Sequence, residues 1–111
     1  MIYQLRFTPK AVSDMEAVEK DVLEVSGRQD TADRYVDDLL DKIKSKKEFP
    51  QSGIPLIYNN ELFTGFYFVH FKKYNAFYRI QGEYIEVIRI LLSKSDYMTV
   101  LFCEEHAVEE E

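Results

Sequence analysis

Three strand-like runs follow one another almost without spacing: "LFTGFYFVHF", "YNAFYRI" and "EYIEVIRILL", separated only by "KK" and "QG". Connections this short join antiparallel neighbours, so the runs predict an antiparallel meander. Gly82 supplies the positive φ that a two-residue turn demands. A turn centred on Gln81 and Gly82 sets Tyr78 opposite Ile85 and Ala76 opposite Val87 on one side of the sheet. Asn75, Phe77 and Arg79 then share the other side with Tyr84, Glu86 and Ile88.

The chain ahead of the meander carries a different period. "IYQLRF" alternates like a strand and stops at "TPKA", where Thr8 can cap a helix and Pro9 can occupy its first position. Ala11, Met15, Val18, Val22 and Val25 follow at spacings of four and three, one apolar helix face, and Gly27 ends it. A second helix repeats the pattern with Ala32, Val36, Leu39 and Ile43, and Lys42, Lys44, Lys46 and Lys47 favour its C-terminus. Two amphipathic helices joined by "GRQD" form an antiparallel hairpin. "EFPQSGIPLIYNNE", with two prolines, a glycine and paired asparagines, predicts a loop crossing the protein. "KSDYMTVLF" predicts a short closing helix capped by Ser93 or Ser95. The resulting fold class is α+β: a strand, a helical hairpin, an antiparallel sheet and a short C-terminal helix, with the hairpin covering one sheet face and the other left at least partly free.

Residues 1–102 form one domain, large enough for a core without metal or disulfide support. Residues 103–111 form an acidic tail expected to be disordered, because five of its residues are glutamates with nothing apolar to anchor them. The formal net charge of -6 owes most to that tail: five of the 20 acidic residues lie in it, leaving residues 1–102 with 14 basic against 15 acidic. From Pro9 to Phe49 there are 8 basic and 11 acidic residues, whereas Gly65 to Ser95 holds five basic and two acidic. The second half is therefore mildly basic, through Lys72, Lys73, Arg79, Arg89 and Lys94. Those cations read either as a recognition surface or as an ordinary solvated patch. The single Cys103 and the lack of an apolar leader in "MIYQLRF" predict a cytoplasmic protein. No cofactor is implied, and no pair of Cys or His has the spacing of metal ligands.

"FTPKAVSDM" after the first strand, "FPQSGIP" after the second helix, "KYNAFYRI" with "IEVIRIL", and "SKSDYMTVLF" at the end, in this order, resemble the RelE/ParE family of bacterial toxins. The resemblance spans nearly all of residues 2–102. It implies the toxin of a type II toxin–antitoxin module, of the kind linked to growth inhibition and plasmid stabilisation, neutralised by an antitoxin that wraps it. Members divide into ribosome-dependent messenger-RNA endonucleases, RelE-like, and poisons of DNA gyrase, ParE-like.

Chemistry separates the two branches. Cleavage by a 2′-hydroxyl needs a base, an acid and cations around the phosphate. RelE-like members place an arginine where this chain has Asn75, and basic or histidine residues where it has "LLSKS". These departures favour the ParE-like reading, in which a protein target is bound through Lys72, Lys73, Arg79, Arg89, Lys94 and Tyr97. The alternatives are a RelE-like endoribonuclease using Arg79, Lys94 and Tyr97 with His70 as a distant helper, and a non-toxic relative acting as a binding module. Each residue also has a plain structural reading. Tyr97 can simply pack the last helix on the sheet, Arg79 and Arg89 can pair with Glu83, Glu86 or Asp96, and His70 can be structural. Tyr35, Leu39 and Leu40 on the second helix are the expected antitoxin contacts.

Overall fold

Thr8 ends one element and starts the next. In the computed structural model, which describes residues 2–59 and 61–103, strand β1 (Gln4–Phe7) gives way to helix α1 (Pro9–Ser26). The Thr8 side chain accepts from the Ala11 N–H at 3.1 Å, and its hydroxyl donates to the Ile88 carbonyl at 2.9 Å. One residue thus caps the helix and fastens it to the far strand. Gly27, with φ 70°, closes α1 in the left-handed conformation that glycine tolerates, and α2 (Gln29–Lys44) follows.

Five strands form one sheet in the order β1-β5-β4-β3-β2, with β2 (Ile54–Tyr58), β3 (Leu62–Phe71), β4 (Tyr74–Gln81) and β5 (Tyr84–Leu92). The meander β3–β4–β5 is antiparallel as expected, and β1 pairs parallel with β5. Three details of the sheet differ from the sequence reading. The β4–β5 turn falls on Gly82 and Glu83, so Tyr78 pairs with Val87 and Ile80 with Ile85, two residues from the predicted register. A bulge then adds Ile88 between Val87 and Arg89, bringing Ile90 opposite Ala76. Because the shift is by two, the assignment of Ala76, Tyr78, Ile85 and Val87 to one face survives it. The segment read wholly as a loop contains β2: a 3₁₀ turn (Pro50–Ser52) leads into this edge strand, where Pro55 needs no ladder partner on the outer side.

The core lies between the helices and the sheet. Val18, Leu39 and Ile43 pack on Val69, Tyr78, Ile85, Val87 and Ile90. A fully buried aliphatic side chain of this kind contributes about 1.5–3 kcal/mol. The α1 stripe is shorter than its spacing suggests: Val25 is 85% exposed. Across the sheet, Phe77 is fully buried, covered by Tyr97 with ring centroids 5.1 Å apart, and Phe102 lies 5.8 Å from Phe66. The second face is therefore partly closed by the C-terminal segment, which runs into a π-helix over Thr99–Cys103. Its start is capped by Asp96, whose carboxylate accepts from the Thr99 hydroxyl at 2.7 Å; the Ser95 hydroxyl turns back to Leu92. The tail 104–111 lies outside the described residues. None of the described helices is long and apolar enough to cross a membrane.

Candidate target interface

The hairpin cations separate into two groups. Lys72 and Lys73 form the β3–β4 turn, where Lys72 holds φ 54°. The Lys72 ammonium sits 4.8 Å from the Tyr35 ring centroid and that of Lys73 5.7 Å from Tyr74. The first of these cation–π contacts ties the turn to α2, whereas the second stays within the hairpin. Lys94 is exposed just past β5, and the neighbouring Ser93 N–H donates to the Lys73 carbonyl at 2.8 Å, so Lys94 lies at this same end.

Arg79 and Arg89 belong to a second site. Together with Thr8, Pro9, Lys10, Phe66, Ile88, Val100 and Leu101 they line a groove of about 480 Å³. Arg79 is held by Glu86 at 2.8 Å, one of the partners the sequence offered, and Glu86 also meets Arg6 at 3.3 Å. Arg89 takes a partner outside that set: its guanidinium donates twice to Asp14, at 2.8 and 3.2 Å, and the Ile90 N–H donates to the same carboxylate at 2.9 Å. Asp14 thereby satisfies the β5 edge where β1 has ended. Asp14 and Asp21, whose carboxylate accepts from the Tyr74 hydroxyl at 3.3 Å, each stand three residues after a buried α1 residue, Ala11 and Val18. Acidic residues at the edge of an apolar stripe were a legible sign of partners on the sheet. Lys10 was also missed. A lysine in a first turn that holds no acidic residue opposes the helix dipole, a signal the sequence did carry.

His70 and Asn75 face each other across β3 and β4, with His70 Nδ1 2.8 Å from Asn75 Oδ1. With the proton on Nδ1, the ring donates to the amide oxygen of Asn75. Asn75 is the buried polar residue of the described chain, 4% exposed, and His70 is its partner. Tyr97 lies between the two cation groups, against Phe77 and Phe68. Of the three residues expected to meet an antitoxin, Leu39 is wholly enclosed in the core, whereas Tyr35 and Leu40 keep part of their surface. Tyr35 packs edge-on against Phe71 and Tyr74. Burial raises the Tyr35 phenol above its ordinary pKa; burial, reinforced by Asp21, pushes Tyr74 up to about 12. Among the described residues, no group of three or more His, Cys, Asp or Glu is placed to hold a metal ion.

Solved structures share this fold. A chain of the chromosomal ParDE toxin–antitoxin system of P. aeruginosa superposes with a TM-score of 0.69 at 20% identity, covering 82% of this chain and 96% of its own. The RelBE2 toxin–antitoxin complex of Mycobacterium tuberculosis gives 0.58 at 20% identity, covering 83% and 99%. The YoeB/ParE toxin of Agrobacterium tumefaciens gives 0.54 at 22% identity, covering 80% and 96%. No curated relative matches the sequence. The model of the ParE toxin of type II toxin–antitoxin systems matches residues 5–97, the whole stretch from β1 to Tyr97. The chain is a member of the ParE toxin family and a toxin of the type II toxin–antitoxin class.

Proposed function

We propose that this toxin arrests growth by binding a protein target, DNA gyrase being the candidate, without cleaving RNA. The observation that supports this reading most is how the face around Asn75 is committed. Phosphodiester cleavage needs a base, an acid and positive charge converging on one phosphate. Here Asn75 is tied to His70, Arg79 to Glu86 and Arg89 to Asp14, while Tyr97 is packed on Phe77. Lys94 belongs to the opposite end of the hairpin from Arg79. Beside these pairs lies a groove lined by Lys10, by Arg79 and Arg89, which stay partly exposed next to their carboxylates, and by Phe66, Ile88 and Leu101, a mixed surface suited to a protein segment.

A cognate antitoxin neutralises it in this reading, since the P. aeruginosa and M. tuberculosis relatives come from toxin–antitoxin pairs. The partly exposed Tyr35 and Leu40, on the helical hairpin, are its proposed contacts.

The test is induction in growing bacteria, with primer extension on messenger RNA beside a DNA supercoiling assay. Arrest with intact messages and altered supercoiling is expected, weakened by Arg79→Glu or Lys10→Glu and unaffected by Tyr97→Phe. Ribosome-dependent cuts that vanish in Tyr97→Phe would establish the endoribonuclease instead. Unchanged growth would mark a non-toxic relative that serves as a binding module.

A further inference from the structure

The ion pairs around the groove at Thr8 are unequal. Arg6 and Arg79 share Glu86, Arg89 pairs with Asp14, and Lys10 lines the same groove. Four cations, Arg6, Lys10, Arg79 and Arg89, therefore meet two carboxylates, Asp14 and Glu86. Residues 1–102 hold 14 basic against 15 acidic residues, so this positive surplus is a local one. Arg6, Lys10 and Arg79 are exposed. A guanidinium has five N–H donors, and Glu86 engages Nε and one terminal nitrogen of Arg79. An additional anion can join such a cluster without displacing the pairs already made.

The polypeptide itself carries anions to the edge of this groove. Val100 and Leu101 form part of its wall. Phe102 packs on Phe66 with ring centroids 5.8 Å apart, and Phe66 is the cross-strand partner of Arg79. The last described residue, Cys103, follows directly, so the backbone leaves the domain on the Arg79 side of the sheet. Glu104 and Glu105 come next in the sequence, and Glu109, Glu110 and Glu111 follow. The eight residues 104–111 reach up to about 28 Å when extended, against roughly 8 Å for the width of a 480 Å³ space. The other cations of the hairpin are placed differently. Lys72 and Lys73 lie past the Phe71–Tyr74 pair, at the opposite end of β3 and β4 from Phe66 and Arg79, and already rest over aromatic rings.

We infer that residues 104–111 fold back over this groove as a built-in competitor, which an acidic segment of the target must displace. This regulation rests on the groove being the target surface. Charge and connection together select the occupant. The tail brings five glutamates to a cluster with a surplus of positive charge, and it is tethered at the edge of that cluster. A short tether gives an effective concentration in the millimolar range, so ion pairs that are individually weak at a surface are enough to fill the groove. Such contacts need no fixed conformation and are screened by salt. The tail and the target segment draw on the same cations, so a chain whose tail is neutralised binds an acidic segment more tightly.

The test titrates the full chain into a fluorescent peptide of the tail sequence, EEHAVEEE, and follows anisotropy. A chain with Glu104, Glu105, Glu109, Glu110 and Glu111 changed to Gln should bind the peptide about fivefold or more tighter than wild type, because its own competitor is gone. In that background Lys10→Glu should weaken binding about fivefold or more, and salt at about 0.5 M should abolish it. Arg79→Glu carries the same expectation if Lys10→Glu does not fold. A second set of five changes, exposed Asp33, Asp37, Asp38 and Asp41 to Asn and Glu48 to Gln, alters net charge equally and should leave the wild-type affinity unchanged. Equal binding by wild type and the neutralised-tail chain would overturn the inference, as would binding by neither or an equal gain from the second set. It is also overturned if Lys72→Glu with Lys73→Glu abolishes binding while Lys10→Glu and Arg79→Glu do not. A supercoiling assay with purified gyrase separates this from the choice of target. There the neutralised-tail chain should act at about threefold or more lower concentration than wild type, and equal potency would overturn the competition. If no chain alters supercoiling while the peptide results hold, gyrase is refuted as the target and the docked tail stands.

Discussion

Replacing Gly53 with alanine adds one methyl group to a position where the backbone itself raises no objection. Its φ of -69° and ψ of 174° are ordinary extended values for alanine. The cost is therefore steric and local. A Cβ at Gly53 would fall far inside contact distance of the Tyr78 hydroxyl and 2.9 Å from its Cζ. Tyr78 cannot yield: it is fully buried, stacked on Tyr67, and its hydroxyl donates to the Pro50 carbonyl. The loop must move instead, and that movement breaks the buried hydrogen bond closing the crossing from α2 to β2. Overpacking of this sort costs about 1–3 kcal/mol and a buried carbonyl left without its donor about 1–3 kcal/mol more. Since one displacement causes both, about 2–4 kcal/mol is expected in total, roughly 8–16 °C in Tm at about 4 °C per kcal/mol. Urea and thermal unfolding of Gly53→Ala, Tyr78→Phe and the double variant form the assay. Tyr78→Phe removes the hydroxyl, so the alanine should cost about 1 kcal/mol or more less in that background. A Gly53→Ala protein within about 0.5 kcal/mol of wild type, or strict additivity in the double variant, would refute the clamp.

Four further outcomes follow from described contacts and from the sequence. Asp14→Ala should lower stability by about 1–3 kcal/mol in urea melts, because it strips both Arg89 and the Ile90 N–H of their acceptor. Alkaline pH should unfold the protein through Tyr74 and Tyr78, which burial raises from the ordinary 10.0 to about 12. The unfolded chain ionises first, so their contribution is complete below pH 10 and lost as pH rises toward 12; in Tyr78→Phe the urea midpoint should fall less over that window. Tyr97→Ala should uncover Phe77 and cost about 3–5 kcal/mol by chemical denaturation, whereas Tyr97→Phe, which keeps the ring, should cost less than about 1 kcal/mol. Removing residues 104–111, whose glutamates repel one another, should leave Tm within a few degrees in calorimetry.

The elements that the sequence announced are those whose signal is local. The cap at Thr8, the stop at Gly27 and the Lys72-Lys73 turn each occupy a few adjacent positions, and all appear in the structure. The β4–β5 register slipped because Gln81-Gly82 and Gly82-Glu83 are both acceptable turns, and local chemistry does not separate them. The bulge at Ile88 depends on where β1 ends and Thr8 reaches across, which is tertiary information. Strand β2 was hidden because prolines and asparagines mark loops and edge strands alike. At the candidate site, Arg79 found a partner from its own hairpin, within reach of pattern reading. Arg89 found Asp14, 75 positions away, and no local pattern pairs such residues.

The parallel seam between β1 and β5 has a consequence for timing. Gln4 pairs with Tyr84, and the Thr8 hydroxyl reaches a carbonyl 80 positions further along. The two helices and the β3–β4–β5 meander are built from neighbours and can organise as they emerge. The first strand must wait for the last, and so distant a pairing is closed late because its entropy is spent before any contact rewards it. Synthesis runs from the N-terminus at about 5–20 residues per second, so β1 stays unpaired for several seconds while the rest of the sheet is made. The groove between Thr8 and Arg89 straddles this seam. A nascent chain therefore carries no finished groove, and a harmful activity that depends on it begins only after β5 has left the ribosome.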